Sequence, residues 1–384
     1  MDDQRREHHR FDDGVCGVHR WNRRADRDPG HHQLAVRTVD VVRHSQRPEL
    51  KAPAFLFDGR LNPMANSVAS HTPLRIAVVG LGNVGASFAF ALLQRRLAAE
   101  IVLIDANHKK AEGEAMDLNH AVPFGAATRI WAGEYADCRG AAVTVITAGA
   151  AQRPGETRLQ LLDRNLAIFQ QIVPEVVKHN PDGLLLIATN PVDIISYASY
   201  KISGLPAHRV LGSGTILDTA RFRYLLGQHF SVDARSVHGL ILGEHGDTEV
   251  PIWSLANIAG IRLREYCRLH SLPYDEHVFD TIFTDTRDAA YKIIERKGAT
   301  YYAVAVGLMQ IVESIVRDQK TVLTTSTLVE GAYGINDVYL SLPTIVGAKG
   351  VVQVLTPDLS EEELAKLQHS AEVLKGMIEG HLPR

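Results

Sequence analysis

Between Leu74 and Leu93 the spacing of apolar positions changes character. Leu74-Arg-Ile-Ala-Val-Val-Gly80 is a short, nearly continuous apolar run rich in β-branched residues, the pattern of a strand covered on both faces. It passes into Gly80-Leu-Gly82-Asn83-Val84-Gly85 and then into apolar positions at helical spacing, which predicts strand, glycine turn and helix. Glu100-Ile-Val-Leu-Ile-Asp105 reads as the next strand, and residues 142–147 and 184–189 repeat the pattern with amphipathic helical stretches between them. Strands and helices alternating in this way predict an α/β fold with a doubly wound parallel sheet, whose ligands bind outside the carboxyl ends of the strands.

The pattern beyond residue 216 is different. Helical spacing is expected over 286–297 and 300–317, strands over 321–328 and 338–354, and a last helix over 360–378. Ser360-Glu-Glu-Glu363 is a capping box at the start of that helix, and Glu361 to Glu363 read as solvated charges favourable to its dipole. The expected organisation is therefore a dinucleotide-binding domain over 74–215 followed by an α+β substrate and catalytic domain over 216–384.

Residues 1–63 do not share either pattern. They hold eleven Arg against one Lys, ten acidic residues and six His, with no sustained period. The absence of an apolar core and the acidic residues at the start exclude a signal peptide and argue against a transit peptide. The segment is expected to be a disordered arm, or to lie upstream of a translation start at Met64. A metal-binding histidine tract is disfavoured, because the histidines are scattered among arginines.

A composition of 45% hydrophobic and 22% charged residues excludes a disordered chain, and a net charge of −3 gives no reason to expect nucleic acid or an anionic membrane as partner. No apolar run reaches the roughly 20 residues that cross a bilayer. Cys16, Cys138 and Cys267 lack paired spacing, which fits a reducing compartment, the cytoplasm, and no metal is expected.

The candidate chemistry begins at the glycine turn. Gly80 makes the turn, Gly82 leaves room for a pyrophosphate, and Gly85 lets the helix pack close to the strand, while the helix N-terminus faces the phosphates. Asp105 follows Gly85 by 20 residues at the end of the second strand, where a carboxylate accepts hydrogen bonds from ribose hydroxyls and repels a 2′-phosphate. That favours NAD over NADP. After Thr147, the polar stretch Ala148-Gly149-Ala-Ala-Gln152-Arg153-Pro154-Gly155-Glu156-Thr157-Arg158 reads as a lid leading into a helix. In Leu217-Asp218-Thr-Ala-Arg221-Phe-Arg223, a rotation of about 100° per residue puts Asp218 and Arg221 on one helix face and Arg223 nearly opposite. Gly243-Glu244-His245-Gly246-Asp247 sets an accessible histidine between two glycines. A histidine to carry a proton, an aspartate to hold its tautomer and an arginine whose fork matches a carboxylate are the parts that hydride chemistry on a 2-hydroxy acid needs.

With the glycine fingerprint, the lid, Thr189-Asn190-Pro191-Val192-Asp193, Leu217-Asp218-Thr219-Ala220-Arg221 and Gly243-Glu244-His245-Gly246-Asp247 in this order, the chain resembles the lactate/malate dehydrogenase family over residues 74–374. The resemblance is greatest to the bacterial lactate-acting members. It implies that His245 donates a proton to the pyruvate carbonyl, that Asp218 orients His245 and raises its pKa, and that Arg221 binds the substrate carboxylate. It further implies that Arg158 polarises the ketone as the lid closes, that Asn190 and Thr300 line the substrate, and that Asn83, Val84, Asn165 and Asn190 join Gly80, Gly82, Gly85 and Asp105 around NAD.

The resemblance aligns Gln152 with the position that meets the distal end of the substrate. A neutral side chain there would leave the second carboxylate of oxaloacetate unpaired, so pyruvate and lactate are the expected substrates, with Arg153 the residue that a one-position shift would bring inward. Arg223 and His238 match anion-site residues of members activated by fructose 1,6-bisphosphate, and a two-fold axis would present both twice in a homo-oligomer, a tetramer by resemblance. The alternative is a local ion pair for Arg223 and an ordinary strand position for His238. Competing readings of the whole chain are a malate dehydrogenase, another 2-hydroxy acid dehydrogenase, and an NAD-binding protein without turnover.

Overall fold

The computed structural model describes residues 73–125, 127–150 and 158–381, with the side chains of Arg158 and Leu159 excepted. The arm over 1–63, Met64, Gln152 and Arg153 therefore lie outside the described residues, as does the Arg158 side chain. The first half runs β1 (Arg75–Val79), α1 (Asn83–Arg95), β2 (Glu100–Ile104), α2 (His108–Ala121), β3 (Arg129–Ala132), β4 (Ala141–Ile146), α3 (Arg158–His179), β5 (Leu184–Ile187), α4 (Val192–Ser203) and β6 (Val210–Gly212). The second half continues with α5 (Ile216–His229), β7 (Val237–His238), β8 (Ile241–Leu242), β9 (Val250–Pro251), β10 (Asn257–Ile258), β11 (Ile261–Arg262), α6 (Leu263–Leu269), α7 (Glu276–Arg287) and α8 (Ala289–Lys297). It ends with α9 (Tyr302–Val316), β12 (Thr321–Glu330), β13 (Asn336–Gly347), β14 (Gly350–Val354) and α10 (Glu361–His381).

One nine-stranded sheet takes strands from both halves, in the order β14, β13, β12, β6, β5, β4, β1, β2, β3. The six from β6 to β3 are parallel, and β12 to β14 extend the sheet antiparallel from β6, where Ser326 stands opposite Gly212. The chain leaves β1 toward β2 and β3 and returns to place β4 on the other side, so the strand order reverses between β1 and β4. Such a reversal is where an open α/β sheet receives its ligand, outside the carboxyl ends of the strands.

Burial on both faces explains the unbroken apolar runs. In β1, Ala77 and Val79 pack into the core that holds α3, α4 and α10, while Ile76 and Val78 pack into the core that holds α1, α2 and α9. A third core under α5 and α7 gathers Phe222, Phe230 and Phe279, with the half-buried Trp253 crossing Phe222 edge-on at 4.8 Å between ring centroids.

Several expected elements are divided by local backbone chemistry. The helix expected over 286–297 is two: α7 starts earlier, where the Asp275 side chain caps the His277 amide at 3.0 Å, and stops at Asp288, from which α8 departs. Gly298 ends α8 in the left-handed conformation (φ 82°), so α9 starts at Tyr302 and Thr300 sits in the half-buried turn before it. The strand expected over 338–354 is a hairpin, turned at Ala348 and Lys349 before Gly350 (φ 89°). The capping box at Ser360 forms, with the Ser360 amide on Glu363 at 2.9 Å and the Glu363 amide on the Ser360 hydroxyl at 3.3 Å. Glu363, however, is buried and not solvated, because it also accepts the Ser254 amide and hydroxyl at 2.9 and 2.6 Å. Hydrogen bonding from Ser254 and Ser360 holds its carboxyl below the usual range against the opposing effect of burial.

Candidate active site

The turn after β1 has the geometry expected of its three glycines. Gly80 has φ 93°, and a side chain there would meet the Ala148 backbone at 2.4 Å. A side chain at Gly85 would collide with the Gly80 carbonyl, so α1 packs directly on the turn. At Gly82 a Cβ would meet nothing within 4 Å, leaving open space in front of the first turn of α1. An exposed glycine, an exposed Asn83 and the free amides of a helix start form a cradle that a dinucleotide pyrophosphate fits. Asp105 braces this cradle by accepting the Leu81 amide at 2.7 Å through Oδ2 and the Asn107 amide at 2.9 Å through Oδ1. Each carboxylate oxygen has a second lone pair, which suits ribose hydroxyls.

Asn165, expected as a cofactor contact, acts among the described residues as a strut between two loops. Its Oδ1 accepts the Ala150 amide at 2.8 Å and its Nδ2 donates to the Asn190 carbonyl at 2.8 Å, tying the loop after β4 to the loop after β5. Thr189 adds a hydroxyl bond to the Ala148 carbonyl at 2.7 Å. Asn190 itself is exposed at the carboxyl edge of the sheet.

The second half contributes the charged centre. His245 follows β8, and its loop is fixed from two sides. The His245 amide donates to Asp193 Oδ2 at 2.7 Å, and the Glu244 amide donates to the Ser370 hydroxyl of α10 at 2.8 Å. Asp193, at the start of α4 and only 2% exposed, also accepts the Ser326 hydroxyl through Oδ1 at 2.5 Å. It thus joins three elements beneath the histidine, and burial lifts its pKa to about 6 against those hydrogen bonds.

The His245 ring meets Asp218 of α5, Nδ1 to Oδ2, at 2.5 Å. The other oxygen of Asp218 accepts Arg221 Nη1 at 2.8 Å. Burial would raise the Asp218 pKa, but His245 and Arg221 outweigh it and hold the carboxyl below its ordinary value. Burial likewise opposes charge on His245, but the Asp218 carboxylate overcomes it, with smaller help from Asp193 and Glu249, and lifts the imidazole to about 9. One buried carboxylate therefore holds two cationic groups side by side: a ring that can give up a proton at Nε2 and a planar fork that can take a carboxylate. The fold brings together Asp218, Arg221 and His245 as expected, and leaves Thr300 in its turn.

Asp193, Ser326, Ser370 and Glu249 were not singled out by sequence. Asp193 stands inside a recognised motif, but Ser326 and Ser370 lie in ordinary strand and helix patterns and carry no signal. Chain spacing shows no metal pattern, yet the fold places ligating atoms of Asp218, His245 and Glu249 within 4.8 Å of one another. Both Asp218 oxygens are already engaged, one by His245 and one by Arg221.

On the far side of α5, Arg223 donates from Nε to the Val237 carbonyl at 2.7 Å. With the exposed His238 it borders a half-open cavity of about 940 Å³, which Tyr302, Val306 and Gln310 of α9 also line. Burial lowers the Arg223 pKa from its usual value. Among the described residues no helix is long and apolar enough to cross a membrane.

Residues 74–212 match the lactate/malate dehydrogenase NAD-binding domain, and residues 215–383 match the lactate/malate dehydrogenase alpha/beta C-terminal domain. The chain belongs to the lactate/malate dehydrogenase family, whose first domain binds NAD. It is 52% identical over 301 residues to L-lactate dehydrogenase 1 of Clostridium acetobutylicum, covering 78% of this chain and 96% of that protein. It is 51% identical over 304 residues to L-lactate dehydrogenase of Priestia megaterium, covering 78% and 94%. The crystal structure of the minor L-lactate dehydrogenase from Enterococcus mundtii in a ligand-bound form superposes with a TM-score of 0.78 at 41% identity, over 80% of this chain and 98% of that one.

Proposed function

We propose that the chain is an L-lactate dehydrogenase, interconverting pyruvate and (S)-lactate with NADH and NAD. The observation that carries this reading is the single Asp218 carboxylate held by both His245 and Arg221. The relatives at about half identity, which bear that name, support it. NADH, when bound over the Gly82 cradle, supplies the hydride.

The protein's own residues do the rest. Arg221 receives the substrate carboxylate through its fork and fixes which end of the 2-oxo acid faces the nicotinamide side. His245 holds a proton at Nε2 and releases it to the carbonyl oxygen as negative charge develops there. Asp218 keeps Nδ1 as the donor to itself, so that Nε2 faces the substrate, and stabilises the ring whenever it is charged. Asp193 fixes the backbone on which the ring is mounted. Arg158 would add a second cation at the carbonyl, with Asn190 and Thr300 beside the substrate. Neutral Gln152 would leave the second carboxylate of oxaloacetate unpaired, so pyruvate is preferred.

The finer reading is a cytoplasmic homotetramer with a dinucleotide-binding domain over 74–215 and a substrate domain over 216–384. Fructose 1,6-bisphosphate activates it at Arg223 and His238. Two such cavities facing across a two-fold axis would present a bisphosphate with two Arg223 guanidiniums and two His238 rings, and a ligand that binds only the assembled form favours that form. Support comes from the shared cavity of Arg223 and His238.

The test is NADH oxidation with pyruvate and, separately, oxaloacetate, each with and without fructose 1,6-bisphosphate. The expected kcat/KM favours pyruvate by at least about a hundredfold, the scale on which an unpaired buried charge is rejected. The bisphosphate is expected to lower the half-saturating pyruvate concentration. Preference for oxaloacetate would show that Arg153, not Gln152, meets the substrate, and rates indifferent to the bisphosphate would remove the effector site.

A further inference from the structure

Glu249 stands in the loop that carries His245 and has no role in the mechanism above. It is 6% exposed, and its Oε1 has no hydrogen-bond partner among the described residues. A carboxylate left in that state pays a large desolvation cost, whereas a neutral carboxylic acid does not. Asp218 and Arg221 face Glu249 from α5, His245 from its own loop and Arg287 from the end of α7, while Asp193 of α4 interacts with His245 and with Glu244. Burial first, and then the charge of Asp218, lift the Glu249 pKa to about 9 against the attraction of His245, Arg221 and Arg287. At neutral pH Glu249 is therefore an uncharged acid beside a charged imidazole, and each of the two groups holds a proton.

We propose that Glu249 is the second proton-holding residue of the site, a buried neutral acid whose ionisation in alkaline solution keeps His245 charged. The proposal rests on His245 being the proton carrier, and Glu249 acts through it as a positioning residue. As the pH rises, the first proton lost to solvent comes from the pair and not from either member alone. One of the resulting states is a Glu249 carboxylate beside a His245 imidazolium, held together by opposite charge. That state extends the pH range over which His245 remains an acid. A glutamine at 249 keeps the shape and hydrogen-bonding capacity but forms no carboxylate, so the imidazolium is lost earlier.

The experiment compares the full chain with its Glu249→Gln variant in both reaction directions over pH 5 to 11. The alkaline limb of kcat/KM for pyruvate is expected to move down by about one pH unit in the variant, and the rising limb of lactate oxidation by the same amount. A packing role alone would lower both plateaus and leave the limbs in place. Thermal unfolding reads the same proton without turnover. Folded Glu249 keeps its proton to about pH 9, while the unfolded side chain loses it near its ordinary 4.5. The folded state then binds more protons in that window, and this group's contribution to stability falls as pH rises through it. Tm of Glu249→Gln relative to the parent is therefore expected to increase progressively from pH 5 to pH 9. A Tm difference that is flat with pH, or limbs that stay in place, overturns the proposal. Its failure is distinct from failure of the His245 reading, because turnover that survives His245→Asn overturns the latter while the Tm difference reports on Glu249 alone.

Discussion

Replacement of His245 by Asn is expected to lower kcat for pyruvate reduction by about 10²- to 10⁴-fold, the range that a positioned acid contributes. Asparagine keeps an amide that can donate to Asp218 Oδ2, so the buried carboxylate retains a neutral partner in place of a charged one. It has no group that titrates near neutrality, and nothing at its tip can deliver a proton to the carbonyl oxygen. The cofactor cradle at Gly80, Gly82 and Asp105 is built from the other half of the chain and does not depend on the imidazole. NADH affinity, read from the quenching of its fluorescence, is expected to stay within a few-fold of the parent. The measurement is steady-state kcat beside that affinity. A variant whose kcat falls less than tenfold would place the acid on another residue.

The second large effect is expected at Arg221. Its guanidinium is anchored by Nη1 on Asp218, which leaves a planar edge for a substrate carboxylate. Two charge-assisted hydrogen bonds at about 1.5–3 kcal/mol each amount to a factor of about 10² to 10⁴ in kcat/KM. Arg221→Gln is expected to lose that factor mainly through a higher KM for pyruvate, because the carboxylate is held in ground state and transition state alike. Arg221→Lys keeps the charge but not the fork, and is expected to recover only part of the loss. Both variants also disturb a carboxylate that is 2% exposed. A stability decrease of about 1–3 kcal/mol in the glutamine variant, read by thermal or denaturant unfolding, reports that separate cost. An unchanged KM would mean that the carboxylate is bound elsewhere.

The first half of the fold was legible because its physics is local. An apolar run buried on both faces, a glycine turn that tolerates φ 93° at Gly80, and an acid at the end of the next strand each leave a mark within a few residues. The three groups of the charged centre were legible by residue type and motif, but Asp193, Ser326 and Ser370 were not. They act through contacts made across 52, 133 and 126 residues of sequence, and a serine in a strand or helix looks the same whether or not it braces the loop that carries His245. Glu363 was misread for the same reason. Its place in a capping box is visible in four residues, whereas its bonds to Ser254 span 109. The division of the 286–297 helix at Asp288 and of the 338–354 strand at Gly350 shows that period alone does not fix where an element turns.

The claim on which the rest depends is that one titrating group, His245, carries the proton in both directions, with its pKa raised by Asp218. Its most direct test is the pH dependence of kcat/KM for pyruvate reduction and for lactate oxidation, measured on the same preparation. Reduction needs the imidazolium, so it is expected to fall as pH rises, while oxidation needs the neutral ring and is expected to rise. The two limbs are expected to share one apparent pKa, displaced above the ordinary histidine value of about 6.5. Limbs at separate pH values, or a shared limb at or below 6.5, would contradict the assignment of the proton to a histidine held by a buried aspartate.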